Sequence, residues 1–100
     1  MILEVAILDV KTGKEGDFEE AFSKAQSIIS SMPGYVSHQL QKGIENPCRY
    51  ILLVNWETLE DHAEGFRKSK SYQRWKALLH HFYDPFPVVE HYSCVFNASS

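Results

Sequence analysis

The sequence predicts an α+β domain whose elements run β-α-β-β-α-β, with a four-stranded antiparallel sheet and a second helix broken in two. Three observations carry this prediction. Apolar, β-branched stretches open and close the chain; two more lie together near its centre, joined by a short glycine-bearing loop; and segments with apolar residues at helical spacing separate the outer strands from the central pair.

Residues 2–10 are apolar and β-branched enough for a first strand, and the polar, glycine-bearing residues 11–16 form the turn after it. Asp17 is placed to accept from the free N–H groups of a first helical turn, with Glu20 three residues on as a capping-box partner. Phe18, Ala21, Phe22, Ala25, Ile28, Ile29 and Met32 then form one buried stripe that Pro33-Gly34 ends. Residues 35–42 and 49–57 read as an antiparallel pair joined by residues 43–48. Thr58, with Asp61 three residues later, caps a helical segment carrying Leu59, Ala63 and Phe66 inward, and Gly65 and Ser69 weaken its far end. A second piece starts at about Ser71, with Tyr72, Trp75, Leu78, Leu79 and Phe82 on one face, until Asp84-Pro85-Phe86-Pro87 stops it. Residues 88–96 form the last strand. The order is that of a ferredoxin-like split βαβ unit, one domain over residues 1–97 with a polar tail at 98–100.

An antiparallel sheet covered on one face normally alternates apolar and polar residues. This one does not. Leu3, Val5 and Ile7 oppose Ala6, Leu8 and Val10, and Ile51 and Leu53 oppose Tyr50, Leu52, Val54 and Trp56, so both faces are apolar. Two helices cover one face, and the other implies a two-fold homodimer packed sheet to sheet.

Composition narrows the function classes. Lys and Arg total 10 against 13 for Asp and Glu, the net charge is −3, and the basic residues are scattered, which argues against nucleic acid as a partner. The apolar opening stretch is interrupted by Glu4 and Asp9, lacks a basic leader and is too short to cross a bilayer, so no membrane role and a cytoplasmic protein are expected. Two cysteines, Cys48 in a proline-containing turn and Cys94 in the last strand, suggest neither a disulfide framework nor a metal site, and a reducing compartment is the simpler setting.

Pro33-Gly34-Tyr35 before the second strand, Trp56-Glu57 ending the third, Phe66-Arg67-Lys68-Ser69 before the second helical piece and Glu90-His91-Tyr92 in the last strand give the chain its family cues. From Val5 to Tyr92 it resembles the antibiotic biosynthesis monooxygenase family of dimeric ferredoxin-like proteins. The resemblance implies oxidation of a small phenolic, quinol or polyketide-like aromatic with no metal, flavin or other cofactor. Haem-degrading relatives carry an Asn, a Trp and a His where this chain has Ala6, Phe66 and Lys76, which argues against haem degradation.

Cofactor-free oxygenation needs a base, donors for the resulting anion and an apolar cage. His62 shares the stripe of Leu59 and Phe66 and suits a base; its bland alternative is a half-exposed histidine at the rim. Tyr72 and Trp75 offer flat surfaces with one polar handle each, the bland alternative being core packing, which is favoured for Trp75. Phe66 adds an apolar wall. His80 and His81, about 100° apart on a helix, cannot share a metal, and His80 is expected at a groove or C-terminal turn. Asn55, the polar residue in an apolar strand, would hold a substrate oxygen or satisfy backbone. His38 and His91 lie on otherwise apolar faces, either the pocket or the dimer seam. The same pocket would also suit a non-catalytic dimeric module that sequesters or senses a small hydrophobic metabolite, which needs no base, and a base in an apolar cavity would serve isomerase-like proton transfer as well.

Overall fold

The computed structural model describes residues 1–99. Strands β1 (Ile2–Asp9), β2 (Tyr35–Lys42), β3 (Arg49–Trp56) and β4 (Val89–Ser93) form one antiparallel sheet in the order β2-β3-β1-β4. Helices α1 (Glu15–Ser30) and α2 (Lys70–Leu79) cover one face. A π-helical segment, Asp61–Phe66, precedes α2, and a 3₁₀ turn, His80–Phe82, follows it. The order and topology are those of the ferredoxin-like fold expected from the sequence.

The core lies between the helices and the inward residues of the two central strands, Ala6 and Leu8 of β1 and Tyr50, Leu52, Val54 and Trp56 of β3. Phe18 of α1 is fully buried among Tyr50, Phe82 and Tyr83, at ring-centre distances of 4.9, 5.8 and 5.9 Å. Such tilted and edge-on pairs add to the value of area removed from water. The predicted α1 stripe is borne out: Phe18, Phe22, Ala25 and Ile29 are buried, with Ala21, Ile28 and Met32 packed beside them.

Several expected details differ. Helix α1 begins two residues before Asp17, its N-cap is Lys14, and no side-chain capping bond forms; the Glu15 carboxylate instead accepts from the Gly13 N–H at 3.1 Å. Ser69 does not weaken a helix but starts one, its hydroxyl accepting from the Tyr72 N–H at 3.1 Å. Leu59, which precedes the π-helical segment, is exposed, so only His62 and Phe66 of the expected stripe are buried; the segment is closed by the Arg67 N–H donating to the His62 carbonyl at 3.0 Å. Strand β3 stops at Trp56. Strand β4 ends at Ser93, opposite Ile2, since beyond that register β1 offers no further partner; Cys94, Val95 and Phe96 therefore lie outside the sheet.

The entry to the π-helical segment is set by a reciprocal cap, in which Thr58 Oγ1 accepts from the Asp61 N–H while the Thr58 N–H donates to Asp61 Oδ2. Gly34 makes room for it. Its φ of +83° falls in the left-handed region, and a Cβ there would overlap the Asp61 side chain. Gly34→Ala is therefore expected to destabilise the protein by about 2 kcal/mol or more, combining left-handed strain with a displaced cap, as read by urea unfolding.

Candidate active site

Inward-facing residues of β1 include one that breaks the apolar rule. Glu4 shares the parity of Ala6 and Leu8, is only 5% exposed, and stands opposite His91 of β4 in the sheet register. Three groups surround its carboxylate. Trp56 Nε1 donates to Glu4 Oε1 at 2.9 Å, His62 Nε2 lies 3.3 Å from the same oxygen, and His62 Nδ1 lies 2.7 Å from His91 Nε2. His62 is 3% exposed and stacks on the Trp56 indole at 5.5 Å and 26°. Both nitrogens of His62 are thus engaged, and its ring orientation is fixed by a strand on each side.

Glu4 and His62 open onto a cavity of about 120 Å³ between sheet and helices. Its apolar walls include Ala6, Leu8, Leu52, Phe66, Trp75 and Val89, and Tyr72, His80, Tyr83 and Arg67 add polar atoms. Phe66 is the hinge of the aromatic wall, edge-on to Tyr72 at 5.3 Å and to Trp75 at 5.7 Å. Arg67, Phe86 and Pro87 are exposed or partly so and form the mouth. Apolar cavities of roughly 150 Å³ accept a benzene ring, so this space suits a single ring better than a fused system.

The charge states follow from burial. Removal from water raises the Glu4 carboxyl to about 7, against the lowering influence of the Trp56 hydrogen bond and the Arg67 guanidinium. Burial, with the neighbouring His91 and Arg67, lowers His62 to about 4. Although the His62–Glu4 distance is that of an ion pair, both shifts favour uncharged forms, so the contact is a neutral hydrogen bond wherever Glu4 holds its proton. His80 and His91 are also shifted downward by burial first and Arg67 second or later.

These shifts have opposite consequences for stability. Glu4, raised on folding, stabilises fully below its unfolded value of 4.5 and loses that contribution as pH rises through about 7. His62, lowered on folding, stabilises above its unfolded value of 6.5 and loses that contribution as pH falls toward about 4. Glu4→Gln removes the first effect alone. The variant is expected to gain stability relative to the native protein as pH rises from 4.5 to above 7, by up to about 3 kcal/mol, as read by urea unfolding at the two ends.

Of the residues singled out from sequence, the structure brings His62, Phe66, Tyr72, Trp75 and His80 together around one cavity. His62 is buried rather than half-exposed at a rim. Trp75 serves both readings, since it is 5% exposed, packs edge-on to Phe22 at 5.8 Å and also lines the cavity. His80 sits at the C-terminal turn of α2, and its Nδ1 is buried without a hydrogen-bond partner among the described residues. An unpaired buried acceptor or donor beside a cavity is a ready contact for a ligand hydroxyl. His81 points away and is exposed.

Two residues fall elsewhere. Asn55 pairs with Leu3 and Ser37 on the outer face of the sheet, and its Nδ2 donates to Ser37 Oγ at 3.0 Å, so the sheet separates it from the cavity. His38 faces α1, bonded to Tyr35 Oη and, at 3.0 Å, to Gln26 Oε1, away from the cavity lining. Glu4 and Arg67 had no assigned role, and His91, expected either at the pocket or at the dimer seam, lies on the inward face against His62. The signal for Glu4 was present: it is the charged residue on the inward parity of a strand otherwise made of core residues.

The arrangement defines a class, a ferredoxin-like domain with a buried acid–base group at the floor of an aromatic cavity. The antibiotic biosynthesis monooxygenase family profile matches residues 1–78, and the chain belongs to that family. It is 58% identical to the uncharacterised protein YczJ of Bacillus subtilis over 95 residues, 95% of this chain and all of that one. A solved Bordetella bronchiseptica structure described as an antibiotic biosynthesis monooxygenase is 35% identical, covers 95% of this chain and 97% of its own, and superposes with a TM-score of 0.91. SnoaB of Streptomyces nogalater, described as a cofactor-independent oxygenase, shares the fold with a TM-score of 0.74 at 16% identity, over 98% of this chain and 94% of its own.

Proposed function

We propose that this protein is a cofactor-independent monooxygenase acting on a small, single-ring phenol or quinol. The buried Glu4–His62 pair at the floor of an aromatic cavity sized for one ring is the observation that carries the reading. Glu4 in its ionised form takes the substrate hydroxyl proton, breaking O–H in the substrate and making O–H on the carboxyl. The phenolate is held by the positive charge of Arg67 and stacked against Phe66 and Trp75, with Tyr72 and the unpaired His80 nitrogen near its oxygen atoms. The electron-rich ring supplies all four electrons that reduce dioxygen; one oxygen atom bonds to a ring carbon, and the other leaves as water, taking the ring hydrogen and the proton returned by Glu4. Phenol and dioxygen thus give quinone and water, with no outside reductant.

The test is oxygen consumption over a panel of single-ring phenols and quinols, with isotopically labelled dioxygen and mass analysis of the product. One labelled oxygen atom in the quinone is expected. Tight binding of the same panel with no oxygen uptake in air would overturn the reading in favour of a binding module.

The assembly is a two-fold homodimer joined through the outer sheet face. Leu3, Val5, Ile7, Ile51 and Leu53 form a contiguous apolar strip there, flanked by the polar Ser37, Gln39 and Gln41 of β2. Light scattering at micromolar concentration is expected to give twice the chain mass, and Leu53→Glu, which puts a charge into the middle of that apolar strip, to give the single chain. Among the described residues no helix is long and apolar enough to cross a membrane. A cytoplasmic setting fits the two unpaired thiols, Cys48 and Cys94.

A further inference from the structure

The mechanism above uses Glu4 and leaves His91 without a task. Yet His91 stands beside Glu4 across the β1–β4 ladder and touches His62, whose other nitrogen faces Glu4. The three side chains form a continuous line from the cavity floor to the edge strand of the sheet. Glu4 and His62 are nearly inaccessible, whereas His91 is half-buried. His91 Nδ1 has no hydrogen-bond partner among the described residues, and the sole buried unpaired side-chain nitrogen or oxygen among them is on His80, so His91 Nδ1 meets solvent.

The geometry points to a proton path, Glu4 to His62 to His91, by which the buried carboxyl exchanges its proton with bulk water without opening the cavity. Each histidine enters the line with both ring nitrogens, which lets a proton arriving at one nitrogen be matched by a proton leaving from the other. In the discharging direction the carboxyl O–H breaks as His62 Nε2–H forms. The proton on His62 Nδ1 moves to His91 Nε2, and the proton on His91 Nδ1 passes to water. One positive charge leaves the site, no electrons change centre, and the reverse sequence restores the neutral carboxyl.

Such a path solves a problem the cavity creates. Glu4 recovers its ionised form within each completed turnover, but a carboxyl that is 5% exposed behind aromatic walls can first be ionised, or lose a proton left by an abortive turnover, only through the substrate's own entrance or along a separate line. Trp56, the fourth member of the cluster, donates only, so it fixes Glu4 without carrying a proton. The charged and titratable groups facing the line are Arg67 from the π-helical side and, across the cavity, His80, Tyr72 and Tyr83. Arg67 favours the ionised carboxyl and disfavours charge on either histidine, so protons on the line move onward instead of resting there.

This inference rests on the reading of the cavity as a place where a phenol loses its proton, and it has a readout independent of oxygen chemistry. Nitrogen-detected histidine spectra and carboxyl carbon shifts of the free protein should show His62 hydrogen-bonded at both nitrogens. They should also show Glu4 and His91 shifting reciprocally as pH changes. His91→Phe, which keeps a ring and removes both nitrogens, should break that reciprocity. The same variant should slow the appearance of para-nitrophenolate in the cavity after a pH jump by roughly tenfold or more, with added imidazole restoring the rate. His91→Gln, which cannot pass a proton from one nitrogen to another, should behave alike and guard against a packing effect. Independent titration of Glu4 and His91 in the free protein overturns the path, as does an unchanged ionisation rate in both variants. Normal ionisation and a normal His91 effect without oxygen uptake would instead count against the monooxygenase reading alone.

Discussion

Glu4→Gln is expected to lower kcat/KM for oxygen consumption by about 10²–10⁴, the usual scale for loss of a general base, while leaving binding of a single-ring phenol within a few-fold. Glutamine preserves the shape of the side chain and can still accept from Trp56 Nε1, so the indole and the stacked His62 keep their places. What disappears is the carboxylate that takes the proton. In the native protein the rate should rise with pH through about 7 as Glu4 ionises, then level off; in the variant this rising limb should vanish. Equal losses in kcat and kcat/KM would place the carboxylate's action in the transition state, whereas a rise in KM alone would reduce Glu4 to a binding group. The same carboxyl loses stabilising value over the pH interval in which it becomes active, so the site trades fold stability for a base poised near neutrality.

Phe66→Ala is expected to cost 3–5 kcal/mol of stability, by about the amount typical of a large aromatic removed from a core, and to widen the range of ligands toward fused rings. The ring is 2% exposed and contacts Trp56, His62, Tyr72 and Trp75, so nothing nearby is free to collapse into its place without disturbing the cavity wall. Chemical unfolding measures the first effect and a binding panel of one-, two- and three-ring phenols the second. Phe66→Leu retains most of the apolar volume and should fold well enough to show a smaller shift in the same direction. A variant that unfolds at the native midpoint would remove Phe66 from the core, and one that binds only single rings would show that some other group sets the size limit.

The fold was legible because its signals are local and repetitive. The stripe on α1, the alternation on β1 and β3 and the proline stop after α2 each depend on near neighbours in sequence, and together they leave one topology. The cavity was partly legible for the same reason: Phe66, Tyr72 and Trp75 follow one helical face. Its chemistry was not, because it is assembled across long sequence separations. Glu4 meets His62 and Trp56 through β-pairing and packing that no local pattern encodes, and His91 joins them only through the β1–β4 register. Asn55 shows the converse, since polarity within an apolar strand marked it as buried, but parity put it on the outer face.

The π-helical turn at Asp61–Phe66 has a consequence for reading relatives of this chain. A π turn holds one more residue than the α turn it replaces, so a homologue that is α-helical throughout this stretch would be one residue shorter. Matching the two by position would then pair each side chain before the turn correctly and each one inside it with its neighbour. Roles assigned to positions 62 and 66 by counting along the chain are accordingly exposed to a slip of one, and equivalence there is better judged by what each ring touches: Trp56 and Glu4 for one, Tyr72 and Trp75 for the other.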